Sequence, residues 1–416
     1  MKPFENGYKL KPKSPDNGAT YIKTTSNYAD RGVSSQKADV HAAIANLDKG
    51  IFPNAFCKIL QHRGNQNSCR GLHADTAGSI PSLASLVFIL TNNLEIAINV
   101  AINAAVMNLD DVGCIGAFNN LLINQTIGIN TLYFGKKRTA ELTAELISKV
   151  QKLCEILQSY GIEVEFCGGE TASVGNNVRT FDVGNSVYFE MQKAQVIDAG
   201  KIVPGDYIVG FSSTGKADWE QEENSSIGSN GLTSAVPDLL SRCYRRYKET
   251  FAPELKQSLQ YRGKFKIGDL LPGSSLTIAE ALLSPTRTYL PLMKKITTLI
   301  PLEQIHGMIH CSGGGQTKIK KFGRPGNLYL KDNLFPTPAI FNSIQRAGTS
   351  WKEMYEVYNM GHRLELVTPY FDAATTCIEL SKDFGINAQI IGRVVSGHDS
   401  NSNGVRIESS YGNFDY

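Results

Sequence analysis

Apolar residues recur at intervals of three or four between Thr139 and Tyr160, where Leu142, Leu146, Val150, Leu153 and Leu157 share one face. That spacing predicts a long amphipathic helix, and Gly161 supplies its stop. Leu94–Met107 is apolar almost throughout and dense in alanine and isoleucine, which predicts a buried helix with Asp110–Asp111 just past its end. Shorter apolar runs read as strands: Leu72–Ala74, Ile162–Phe166, Val178–Phe189, Tyr207–Phe211, Ile305–Cys311, Leu364–Val367 and Ala388–Val395. Helical patterns cover Ser35–Asn46, Leu232–Thr250, Pro291–Leu299, Pro338–Gln345, Trp351–Tyr358 and Phe371–Phe384. The alternation predicts an α/β (α+β) protein with mixed layers in both halves.

The turn Pro204-Gly205-Asp206 suggests a first domain over residues 31–200 and a second over 201–395. Residues 1–30 lack periodicity and are expected to be extended or disordered, and 396–416 reads as a poorly ordered polar tail.

A chain of 416 residues is too long for one ordinary core, and 42% apolar with 19% charged residues suits a soluble globular protein. A net charge of +3 with no basic stripe gives no support for a nucleic-acid surface, although small anionic substrates stay open. The eight cysteines form no CxxC pair and several sit in apolar runs, which favours reduced buried thiols over a disulfide framework. With no signal core and no segment of membrane-spanning length, the expected compartment is the cytoplasm, with no membrane partner.

Two glycine turns follow strand-like runs, Gly313-Gly314-Gly315 within HGMIHCSGGGQTK and Gly168-Gly169 within CGGETA. Glycine lets backbone N–H groups approach an anion, and Lys318 adds a charge nearby. Ordinary tight turns explain both loops equally well, and neither fits a dinucleotide or phosphate-loop fingerprint. Asp75, Asp110–Asp111 and Glu170 each end an apolar segment. Carboxylates gathered around phosphates need a cation between them, and Mg²⁺ suits such oxygen donors; helix or turn capping is the alternative for each. His306 and His310 share a strand face without a third ligand, so zinc is disfavoured. Ser229-Asn230-Gly231 precedes a helix, where free N–H groups can hold phosphate, and Arg287 offers a bidentate donor.

Taken in order, YADRGV (28–33), HADTAGS (73–79), MNLDDVGCIGA (107–117), GGETA (168–172), SNGLTSA (229–235), LLSPTRTY (282–289), HGMIHCSGGG (306–315), MYEVYNMG (354–361) and IIGRV (390–394) resemble the aminoimidazole ribonucleotide synthetase family. The members are also called phosphoribosylformylglycinamidine cyclo-ligases. The resemblance implies two α/β domains, a homodimer joined through N-terminal sheets, and an ATP-dependent ring closure of formylglycinamidine ribonucleotide in purine biosynthesis. It further implies nucleotide contacts from Asp75, Gly78, Asp110, Asp111, Gly168, Gly169 and Glu170, with Mg²⁺ held by Asp75, Asp111 and Glu170. Ser229, Asn230, Gly231, Arg287, Gly313, Gly314 and Gly315 would hold the phosphorylated substrate, and Asp75, Asp111 and His310 would carry the chemistry.

Three departures stand out. The family loop DGVGTK reads DTAGSI here, so Ile80 replaces a lysine; Asp110 replaces an asparagine; and Gly228 replaces the histidine before Ser-Asn-Gly. His306, His310 and His362 are the candidates to replace that histidine. A divergent, non-cyclising nucleotide-binding or phosphotransfer homologue, including a dimeric regulatory protein, is the alternative reading.

Overall fold

The computed structural model describes residues 28–34, 42–397 and 399–416. Most of the expected extended segment 1–30, and residues 35–41 of the expected helix Ser35–Asn46, lie outside them.

Two sheets organise the described chain. The first holds β1 (Leu60–Gln61), β2 (Ser68–Thr76), β3 (Leu121–Ile129), β4 (Val164–Ser173) and β5 (Phe181–Gln192), in the order β1-β2-β5-β3-β4. A short ribbon pairs β7 (Thr214–Gly215) with β8 (Asn224–Ser225). The second sheet holds β6 (Tyr207–Ser212), β9 (Gly307–His310), β10 (Asn327–Lys331), β11 (His362–Thr368), β12 (Ala388–Ser396), β13 (Gly404–Ser409) and β14 (Gly412–Asp415), in the order β14-β13-β10-β12-β6-β11-β9. The chain thus leaves the first sheet at Gln192 and enters the second at Tyr207.

The first sheet is explained by alternation, whereas β9 and β11 of the second are buried on both faces. In β3, Leu121, Ile123, Ile127 and Ile129 are buried while Leu122, Asn124 and Thr126 are exposed. The buried face meets helices Asn99–Gly113 and Lys136–Ser159, and the latter buries Leu142, Leu146, Val150, Leu153 and Leu157. The other face stays open, with Leu72 69% and Leu122 40% exposed in one cross-strand row through Tyr188.

Several expectations need correction. Asp110 and Asp111 lie inside the helix Asn99–Gly113, because their side chains find partners in the second domain and the helix need not stop for them. Ile80–Thr91 is a helix with Pro81 in its first turn; its run is apolar on every side, so it shows no period to read. The expected helix Leu232–Thr250 stops at Leu239 and gives way to short 3-10 turns at Arg242–Arg246 and Lys248–Thr250. The tail is ordered: β13 pairs in parallel with β10, β14 closes on β13, and Val405 and Ile407 are fully buried.

The domains are riveted by polar groups. Asp110 Oδ1 accepts from Thr288 Oγ1 at 2.6 Å and Oδ2 from the Tyr289 N–H at 3.0 Å, at the start of helix Leu290–Leu299. Asn103 Oδ1 accepts from the Thr286 N–H at 2.7 Å. These bonds fix helix Asn99–Gly113 against the segment Thr286–Tyr289, and so fix where Asp111 points.

Candidate active site

The C-terminal end of β2 delivers His73 and Asp75 to one side of the sheet, two residues apart on a strand of period two. Asp111, the Ser229–Gly231 turn, Ser312, Gly313, Gly314 and Lys318 complete the walls of a single cleft of about 510 Å³ between the domains. Gly78 also lines it. Four segments of the chain, 73–78, the helix turn at Asp111, 229–231 and 312–318, therefore converge on it.

Asp111 is the electrostatic centre. Its Oδ1 lies 2.7 Å from His310 Nδ1 and its Oδ2 lies 3.3 Å from His73 Nε2. Burial pushes its pKa up, but the two imidazole hydrogen bonds outweigh this and hold it well below the ordinary carboxylate value. Arg363 Nη2 lies 2.9 Å from His310 Nε2, so that nitrogen must accept and Nδ1 must carry the proton given to Asp111. Asn108 Nδ2 donates to the carbonyls of Ala104 and Asp75, which turns its Oδ1 toward His73 Nδ1 at 2.9 Å. His73 therefore donates from both nitrogens. Burial depresses its pKa, yet the bonds from Asp111 and Asn108 and the nearby Asp75 raise it overall. The result is a relay, Arg363–His310–Asp111–His73, whose last two members line the cleft.

That placement revises His310. It is fully buried with both nitrogens engaged, and it orients Asp111 from behind. His73 takes the exposed position; its spacing from Asp75 was visible in the sequence, but nothing there showed that Asp111 would come to meet it. Asp110 faces the interior, where burial raises its pKa against the pull of His310, Thr288 and Arg363. It serves as the domain rivet and does not contact the cleft.

Arg287 is likewise consumed. It is 2% exposed, its guanidinium grips Glu220 through Nε at 3.0 Å and Nη2 at 2.5 Å, and it also donates to the carbonyls of Ser212, Thr214 and Gly215. No donor remains for a substrate.

The GGET segment goes elsewhere. Cross-strand partners Thr76–Gly184–Thr126–Glu170 form one row and Asp75–Asn185–Gln125–Gly169 the next. Glu170 therefore lies three strands from β2, about 14 Å away, and on the open face opposite to Asp75. Gly168, at φ +73°, is the extra residue of a bulge, and a Cβ on Gly169 would lie 1.6 Å from the Gln125 carbonyl oxygen. These glycines permit close strand packing within this protomer.

Of the other glycine turn, Gly313 and Gly314 line the cleft. Gly315 is buried, and a Cβ there would meet the Tyr358 carbonyl oxygen at 2.5 Å. Gly231, at φ +74°, packs directly against the Tyr358 ring while Tyr358 Oη donates to its carbonyl at 3.2 Å. Ser229 is tied to Thr286 by a 2.7 Å hydroxyl bond.

Asp75 and Asp111 are hard oxygen donors on one cleft, a set that fits a divalent cation such as Mg²⁺; Glu170 of the same chain does not belong to it. The eight cysteines are all unpaired, and among the described residues no helix is long and apolar enough to cross a membrane.

No family model matches the chain. Among curated proteins it is 30% identical over 310 residues to a phosphoribosylformylglycinamidine cyclo-ligase of Methanococcus vannielii, covering 73% of each chain. The chain belongs to that family. The cyclo-ligase of Methanocaldococcus jannaschii is also 30% identical, over 307 residues, covering 73% of this chain and 74% of the relative. A solved structure of a HypE–HypF complex contains a chain that superposes with a TM-score of 0.50 at 14% identity, covering 91% of this chain and 98% of that one, and so shares the fold.

Within this cyclo-ligase family, the departures acquire positions. Ile80 opens the helix Ile80–Thr91 and is fully buried, so no cation is supplied from that point. At Gly228 a Cβ would lie 2.7 Å from Arg363 Nη1: the guanidinium occupies the space that a larger side chain at 228 would enter. The cation of Lys318 and the imidazole of His73 stand in the same cleft instead.

Proposed function

We propose that this chain is an ATP-dependent cyclo-ligase that converts formylglycinamidine ribonucleotide to aminoimidazole ribonucleotide, a step of purine biosynthesis. The observation that carries this reading is the meeting of Asp75, Asp111, Ser229–Gly231, Gly313–Gly314 and Lys318 on one interdomain cleft. Acids, glycine-loop backbone and the ammonium groups of Lys318 and Lys321 form the chemistry that a triphosphate and a phosphorylated substrate require.

In this reading the formyl oxygen of the substrate takes the γ-phosphoryl group of ATP, releasing ADP. The amidine nitrogen then attacks the activated carbon, a proton is lost, and phosphate leaves with the former formyl oxygen. Both reacting groups belong to one molecule, so holding them aligned removes much of the entropic barrier. Mg²⁺, held by Asp75 and Asp111, would neutralise phosphate charge. The amidine proton passes to an oxygen of the departing phosphate; His73, which already donates from both nitrogens, adds positive charge beside Asp111, and Lys318 is placed to balance the phosphate charge in place of the lysine absent at position 80.

Purified protein with ATP and formylglycinamidine ribonucleotide is expected to release one ADP per aminoimidazole product, and none without the substrate. ADP release that ignores the substrate would favour the second reading, a phosphotransfer or nucleotide-binding homologue. The buried Ile80 and the Arg363-filled space at Gly228 are the observations on that side.

The open face of the first sheet supports a homodimer, because Leu72 and Leu122 stand exposed on one row of it. Charging both positions, Leu72→Asp with Leu122→Asp, is expected to yield monomers in light scattering. A variant still dimeric over a tenfold dilution would place the interface elsewhere.

A further inference from the structure

Lys318 and Lys321 both line the cleft, and both stand on the 3-10 helix Gly315–Lys321. Residues three apart eclipse one another in such a helix, so the two side chains rise from one side of it. Seven residues is a long run for 3-10 geometry, whose hydrogen bonds are poorly aligned. The helix is accordingly held from outside. Lys331 Nζ bonds the Gln316 carbonyl in its first turn, and two further supports, one at each end, lead to a single element, residues 402–416.

The first support is Asn403. Its Nδ2 donates to the carbonyls of Lys320 at 3.2 Å and Phe322 at 2.7 Å, and its Oδ1 accepts from the Asn327 N–H at 3.0 Å, where β10 begins. Tyr329 Oη shares the Phe322 carbonyl at 2.7 Å. The Phe322 ring stacks on Phe56 with 5.0 Å between centroids, and Lys318 Nζ lies over the Phe56 ring at 5.2 Å. One amide thus holds both the carboxyl end of the helix and the aromatic pair across which its cation lies. The second support enters at the other end. A Cβ on Gly315 would lie 2.9 Å from the Tyr355 carbonyl oxygen and 2.5 Å from that of Tyr358, so helix Trp351–Val357 and the residue after it back the turn directly. The hairpin β13–β14 clamps that helix. Tyr411 stacks on Trp351 at 3.6 Å with the planes 6° apart, Phe414 packs on Tyr355 at 5.8 Å, and Tyr416 Oη donates to the Lys352 carbonyl at 2.7 Å. Val405 and Ile407, fully buried, anchor the hairpin beside β10.

We propose that residues 402–416 form a strap that sets the two ammonium groups of the cleft for phosphate, with Asn403 as its positioning residue. The inference rests on the phosphate-binding reading above and deepens it. None of residues 402–416 lines the cleft, so the strap acts through Lys318 and Lys321 alone. A charge displaced by an ångström from its phosphate keeps its fold and loses its purpose, which is why the supports behind it matter as much as the lysines themselves.

Calorimetric titration of the full chain with inorganic tripolyphosphate and Mg²⁺ tests the strap through a double-mutant cycle. Asn403→Ala is expected to weaken binding about tenfold in the wild-type background and by about threefold or less where Lys318 is already alanine. Under the proposed reaction the same variant raises KM for ATP about tenfold and leaves kcat within about threefold, because the acids are untouched. Tyr411→Ala, at the exposed end of the strap, is expected to follow the same pattern at about threefold, and it carries the test should Asn403→Ala fail to fold by circular dichroism. An equal loss in both backgrounds, a fall in kcat with KM unchanged, or no loss at all would overturn the strap and leave the phosphate reading standing. Wild-type protein that does not bind tripolyphosphate would overturn both.

Discussion

Asp111→Ala is expected to lower unfolding free energy by about 3–5 kcal/mol, whereas Asp75→Ala changes it by less than about 1 kcal/mol. The two acids share a cleft but not an environment. Asp111 joins two imidazoles, and removing it leaves the Nδ1–H of a fully buried His310 without an acceptor and brings the His73 charge beside empty space. Asp75 is half-exposed and its recorded bond, Oδ1 accepting from the Thr76 N–H at 2.7 Å, is a local one that water can replace. Urea unfolding at neutral pH measures the difference. Under the proposed chemistry Asp75→Asn nevertheless lowers kcat about 100-fold or more, because the charge facing the phosphates is gone. A destabilised Asp75→Ala with intact turnover would reverse the assigned roles of the two residues.

The sequence exposed the fold wherever one face of an element was buried and the other wet. Lys136–Ser159 was legible because five apolar residues fall on one stripe; β11, buried on both faces, showed only as the short run Leu364–Val367. Ile80–Thr91 escaped because it is surrounded by protein and its pattern has no polar side. The last two strands escaped because they belong to a sheet edge, where Ser, Asn and Gly are tolerated and only Val405 and Ile407 are deeply buried.

The site divides in the same way. Asp75, Asp111, the Ser229–Gly231 turn and Gly313–Gly314 meet in one cleft as the ordered motifs implied. What one-dimensional reading could not supply was direction. Asp110 and Asp111 are neighbours in one helix turn, yet one faces the second domain and the other the cleft. Asp75 and Glu170 end comparable strands, yet the pairing register sends them to opposite faces. Arg287 looked free until its partner Glu220, 67 residues away, was in place.

Lys331→Met is expected to cost about 3–5 kcal/mol at pH 7, because it strips the cation from a carboxylate that no water reaches. Lys331 on β10 and Glu365 on β11 are both fully buried, with β12 and β6 between their strands, and Nζ bonds Glu365 Oε1, the Gln316 carbonyl at 2.6 Å and Gln316 Oε1 at 3.2 Å. Burial alone would raise the Glu365 pKa; Lys331 leads the opposing pull, with His362 beside it, and brings it down to about 2. With the folded pKa below the unfolded one, the pair's contribution is complete above pH 4.5 and is lost as pH falls toward 2. In Lys331→Met the sign reverses. The carboxylate, left with only His362 beside it, gains a proton on folding, so the variant's deficit against wild type should shrink between pH 7 and pH 5, and Lys331→Met with Glu365→Gln should recover most of it. Paired urea titrations at the two pH values test this; a deficit independent of pH would mean that lost packing outweighs the unpaired charge. Because Gln316 directly follows Gly315, the same variant should loosen the glycine loop above it and weaken tripolyphosphate binding even where the protein remains folded.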